Sequence, residues 1–105
     1  MQIKYNVEID NNVIIENLKR ITNQIYKLLP SREEGADWQT PLTTITEEVA
    51  GISRLLVDQQ STLFTLLAKL EGLFTLEYET DFFSYRRTIF ECLSLVNSLI
   101  KKCQV

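Results

Sequence analysis

Residues 82–103, FFSYRRTIFECLSLVNSLIKKC, decide the fold. Phe82, Tyr85, Ile89, Cys92, Val96, Leu99 and Cys103 recur at alternating spacings of three and four. That period draws one stripe down an α-helix. Phe83, Phe90, Leu93 and Ile100 run beside the stripe and widen it. A helix apolar over so broad an arc sits centrally in a bundle or contacts another subunit. Lys101 and Lys102 fall near its end, the favourable sign for the helix dipole. The spacing predicts a helix over 81–102, with Thr80 as its N-cap after the acidic break EYETD.

Working back towards the N-terminus, the same period recurs. Asn11 or Asn12 can cap a first helix over 12–29, whose stripe is Ile14, Leu18, Ile21, Ile25 and Leu28. Pro30 is expected to end it, because the residue before proline avoids the helical region. Thr40-Pro41 reads as an N-cap followed by proline at the first helical position of a helix over 41–57, with Leu42, Ile45, Val49, Ile52 and Leu56 inward. Asp58 can cap a third helix over 59–75 carrying Leu63, Leu67, Leu70 and Phe74, within which Gly72 would cost about 1 kcal/mol against Ala. Residues 1–10 differ: Ile3, Tyr5, Val7 and Ile9 alternate with polar residues, the period of a half-buried strand. With no second strand in the chain, this arm must lie against the helices or pair with another copy. The expected architecture is all-α: a four-helix, bundle-like domain over 11–105 with an extended, β-like arm over 1–10.

Composition narrows the function. The chain has 105 residues, 45% hydrophobic and 24% charged, ordinary values for one globular domain. Its net charge is −3, and no basic run exceeds two residues, which disfavours binding to long nucleic acid. The first residues lack the features of a signal peptide, and no apolar run reaches the ~18 residues that span a membrane. Two cysteines outside any CxxC motif fit a reducing cytoplasm. Eleven residues apart on one helix, Cys92 and Cys103 lie about 16 Å apart and cannot bridge each other, so they read as small core residues. Histidine is absent, which removes the commonest general base, the activators of Ser and Cys triads and most zinc chemistry. Glu47-Glu48 has no further carboxylate a helical turn on to hold magnesium, and there is no glycine-rich phosphate loop. A non-enzymatic protein with no metal and no cofactor is expected.

Four residues stand out as candidate ligand contacts: Arg86, Arg87, Arg32 and Trp38. Arg86 falls in the second stripe of the last helix, where an apolar residue is expected. A guanidinium there needs either an ion-pair partner (Glu34, Asp37, Glu47, Glu48 or Glu71) or an anionic ligand. Asn97, in the same stripe, reads as a polar residue that specifies bundle pairing. The connection PSREEGADWQTP, residues 30–41, holds both prolines and the only tryptophan. Its Ser31-Arg32-Glu33-Glu34 fits a capping box, so a single helical turn closed by Gly35 is expected. Trp38 then either plugs the end of the bundle or serves, beside Arg32, as a platform for a base or a partner side chain.

The runs LLPSREEGADWQTPLTTITEEVAGISRLL, LLAKLEGLF and FFSYRRTIFECLSLVNSL resemble small helical proteins encoded by phages and prophages, over residues 25–100 or so. No activity is attached to that pattern. The resemblance implies a host-cytoplasmic setting and a counter-defence role in immune evasion: sequestering a cyclic or linear nucleotide signal, or inhibiting a host defence protein. A structural or adaptor oligomer in phage replication or assembly is the other reading. The arm and the wide last helix point to a homodimer or larger even assembly.

Overall fold

A computed structural model describes residues 11–77 and 79–104, so the expected N-terminal arm lies outside the described residues. Each of the four apolar stripes forms a helix: α1 (Asn11–Glu33), α2 (Gln39–Ser53), α3 (Gln60–Gly72) and α4 (Phe82–Cys103). A short 3₁₀ turn, Val57–Gln59, leads into α3. Among the described residues there is no strand.

The helices pack chiefly as sequence neighbours, and α1 closes the ring against α4. Chain direction alternates. Arg32, near the end of α1, meets Tyr85, near the start of α4; Asn11 and Cys103, at their opposite ends, line one cavity. This is the bundle arrangement that short connections favour.

The core is dry. Leu18, Ile21, Ile25, Leu42, Ile45, Val49, Leu63, Leu66, Leu70, Leu73, Tyr85, Ile89, Cys92, Val96 and Leu99 are fully buried. Removing each such leucine or isoleucine from water contributes about 1.5–3 kcal/mol. Ser53 is the buried polar residue among those described, and its hydroxyl donates to the Ala50 carbonyl at 2.6 Å. Two exposed ion pairs, Arg20–Glu48 at 2.8 Å and Lys69–Glu91 at 3.1 Å, tie α1 to α2 and α3 to α4. Each is worth under about 1 kcal/mol, so apolar packing holds the fold.

Several local expectations are corrected. Pro30 does not end α1, which runs on to Glu33 and absorbs the separate turn expected after it. The Gly35 N–H bonds to the Arg32 carbonyl at 3.2 Å and the Ala36 N–H to the Ser31 carbonyl at 2.9 Å, with Gly35 at φ +71°. This is the Schellman closure that glycine adopts without strain, so Gly35 is the stop signal. The cap of α2 is also displaced. Asp37 Oδ1 accepts from the N–H groups of Gln39 and Thr40 at 3.1 and 3.2 Å, and the helix starts two residues before Pro41. Pro41 still lies in the first turn, where no intrahelical donor is lost.

In α3 the inward stripe is Leu63, Leu66, Leu70 and Leu73 in place of Leu63, Leu67, Leu70 and Phe74; Leu67 is half-buried and Phe74 is 37% exposed. Gly72 ends the helix, so its expected interior cost is not incurred. In α4 the N-cap position falls on Asp81 in place of Thr80; the Asp81 side chain makes no cap bond and instead accepts from the Glu77 N–H at 3.1 Å.

Candidate functional site

A core built almost wholly of apolar side chains leaves the ends and the outer grooves as places for function. The four arginine and tryptophan candidates do not converge on one of them. They divide between a closed site at the end of the bundle and an open groove on its flank.

At the closed end, α1 delivers Arg32 as the Schellman turn brings Trp38 back across it. The guanidinium carbon lies 3.8 Å from the centre of the Trp38 ring and 4.9 Å from that of Tyr85. Arg32 Nη2 donates to the Leu76 carbonyl at 3.0 Å, in the connection between α3 and α4. Trp38 also packs on Phe74, with ring centres 6.2 Å apart, and rests half-buried against the core. Cation–π contacts strengthen as water is excluded, to about 2 kcal/mol when desolvated. Arg32 therefore ties three chain segments together, and Trp38 anchors the loop. Asp37 fixes the same loop: hydrogen bonds, from the Thr40 hydroxyl foremost and then from the Thr40 and Gln39 N–H groups, hold its carboxyl below the ordinary 3.8.

Arg86 and Arg87 are both exposed on α4. The buried guanidinium expected for Arg86 is thus corrected: it forms no ion pair among the described residues, and its carbon lies 5.6 Å from the centre of the Phe90 ring. Arg87 follows about 100° further round the helix and faces a different flank. Glu48, one of the partners expected for Arg86, pairs with Arg20.

Arg86 borders the second site. Between α1 and α4 runs an open groove of about 820 Å³, lined from α1 by Lys19, Thr22, Asn23 and Tyr26 and from α4 by Phe90, Leu93, Ser94, Asn97, Ile100, Lys101 and Gln104. Its volume lies within the range of small-molecule sites. Tyr26 and Phe90 are 54% and 46% exposed, so the groove presents two uncovered rings.

Charge also favours this pair of helices. Helices α1 and α4 carry eight cations (Lys19, Arg20, Lys27, Arg32, Arg86, Arg87, Lys101, Lys102) against three anions (Glu16, Glu33, Glu91), a balance of +5. The remaining described residues carry Arg54 and Lys69 against nine carboxylates, a balance of −7. A chain acidic overall is thus basic along one pair of helices, where an anion would be drawn.

Lys19, Tyr26 and Asn23 were not singled out by the sequence. The signal was available: Lys19 and Tyr26 directly follow the core residues Leu18 and Ile25, as Phe90 and Asn97 follow Ile89 and Val96. One residue past a core position lies about 100° round the helix, at the rim of its buried face. The antiparallel pairing of α1 with α4 joins the two rims.

Neither thiol is built for reaction. Burial, with Glu91 adding to it against an opposing Lys69, pushes Cys92 up to about 12, and burial also raises Cys103. Among the described residues, no group of His, Cys, Asp and Glu side chains is placed to hold a metal ion, and no helix is long and apolar enough to cross a membrane. No protein-family model, curated protein or solved structure matches the chain.

Proposed function

We propose that the chain is a non-enzymatic binding protein that sequesters an anionic, nucleotide-type ligand in the α1–α4 groove, in keeping with a counter-defence role in phage infection. The observation that carries this reading is the coincidence, on one face, of exposed rings (Tyr26, Phe90) with cations (Lys19, Lys101, and Arg86 at the border) in a protein otherwise acidic. Rings offer a base a stacking surface, the ammonium groups meet a phosphate, and the Arg86 guanidinium flanks the Phe90 ring. Of the four residues first selected, Arg86 stays with this site; Arg32 and Trp38 hold the bundle end closed, and Arg87 lies off the groove.

The test is a thermal-melting titration of the purified protein with linear and cyclic nucleotides. A ligand at 100 times its dissociation constant adds about 2.7 kcal/mol of stability. No shift and no calorimetric binding at millimolar concentration would remove the nucleotide reading and leave inhibition of a host protein.

A second reading, an adaptor oligomer pairing through α4, is favoured by Phe83, which is 82% exposed. A symmetric contact through the groove would bring the Lys19, Arg86 and Lys101 cations of two copies into one interface, and like charges there oppose it. Light scattering at low and high salt separates the two. A dimer that forms only at high salt supports pairing through this face.

A further inference from the structure

Resting on the proposal that the groove binds a nucleotide-type anion, we infer that the ligand is a linear nucleoside phosphate lying lengthwise, with its base at Tyr26 and Phe90 and its phosphates at Lys19 and Lys101. The antiparallel register of α1 and α4 sorts the lining by chemistry. Tyr26 and Phe90 share one end; Asn23 comes next; Lys19 lies level with Asn97 at the other end, with Lys101 a turn beyond. Rings, then an amide, then ammoniums follow the order of a base, a sugar with its hydroxyls, and a phosphate chain.

The dimensions agree. Tyr26 is seven residues from Lys19, about 10 Å along the axis, and Phe90 is eleven from Lys101, about 16 Å. Side chains lean towards the N-terminus of their helix, so on the antiparallel α1 and α4 Lys19 and Lys101 lean towards one another's level. The two ammoniums can therefore meet one phosphate chain. Amides that donate and accept suit sugar hydroxyls.

The gradient runs one way, and this sets the ligand class. A cyclic dinucleotide presents two bases with its phosphates between them, and would need a ring at each end and cations in the middle. The groove has rings at one end only. Arg86, whose guanidinium lies over the Phe90 ring, backs the stacking end and is a positioning residue.

The experiment measures, by calorimetry, affinities for adenosine and guanosine mono-, di- and triphosphates, a cyclic dinucleotide and inorganic triphosphate. Wild type is compared with Tyr26→Ala, Phe90→Ala, Lys19→Gln and Lys101→Gln. All four side chains are exposed, so unchanged melting temperatures will establish that each variant folds. The ring variants should lose about tenfold for the nucleotides, the scale of one stacked base, and nothing for inorganic triphosphate. The lysine variants should lose affinity for both, with a weaker dependence on salt. Tighter binding of the cyclic dinucleotide, or equal losses for nucleotide and triphosphate in the ring variants, overturns the lengthwise placement while leaving a nucleotide-binding groove. Absence of binding by every nucleotide removes the functional proposal itself.

Discussion

Among the described residues two arginines lie over aromatic rings, and the structure uses them in opposite ways. Arg32 sits 3.8 Å from the Trp38 ring centre and 4.9 Å from that of Tyr85, half-buried and donating to a backbone carbonyl. Arg86 sits 5.6 Å from the Phe90 ring centre, exposed on one ring alone. The side-chain chemistry is the same, so the difference comes from solvent. Where water is excluded the contact becomes a structural tie. Where water remains it contributes little to stability, and the ring stays available to something else. A cation–π pair therefore identifies a binding face by its exposure.

The contrast can be broken most forcefully at Tyr85, the largest fully buried side chain. Tyr85→Ala opens a cavity beneath the closed end and should cost about 3–5 kcal/mol in urea unfolding. Phe90→Ala on the open groove should cost under about 1 kcal/mol. Comparable losses at the two positions would mean that the groove is part of the core.

A pair of double-mutant cycles sharpens the comparison. Arg32→Met with Trp38→Ala should reveal a coupling of about 1–2 kcal/mol, and Arg86→Met with Phe90→Ala one of under about 0.5 kcal/mol. Equal couplings would contradict the role assigned to solvent.

Acid should loosen the closed end before the groove. Asp37 is held below its ordinary 3.8 in the folded chain by its bonds to Thr40 and Gln39. Its contribution is therefore complete above the unfolded value and is lost as pH falls through the lower folded one. Stability measured from about pH 5 down to about pH 2 should fall less steeply for Asp37→Asn than for wild type. Identical slopes would show that the cap does not titrate as argued.

The smallest expected effect is in the thiols. Cys92 is buried in α4 with its thiol raised to about 12, and Cys103 is only partly covered near the helix end. An aromatic disulfide reagent at neutral pH should modify Cys103 slowly and Cys92 only on unfolding. Prompt reaction of both would show that the interior of α4 opens readily.

Several features could be read from the chain itself. The spacing of Phe82, Tyr85, Ile89, Cys92, Val96 and Leu99 makes a helix whatever its neighbours, because period and side-chain size are local properties. Gly35 as a stop also follows from the chain, since only glycine enters the left-handed region freely. Residues at the margin of a stripe were not decidable in this way. Leu66 or Leu67, Leu73 or Phe74, and the burial of Arg86 depend on where the adjacent helix lies. A rotation of α3 by a fraction of a turn exchanges one set for the other. The cap of α2 likewise passed from Thr40 to Asp37 once the Arg32–Trp38 stack had fixed the path of the loop. Sequence determined the four helices and the middle of each inward stripe, because each is written in a local period. Tertiary structure alone decided which arginine is tied down and which faces the groove, because exposure belongs to the packing of two helices and to neither by itself.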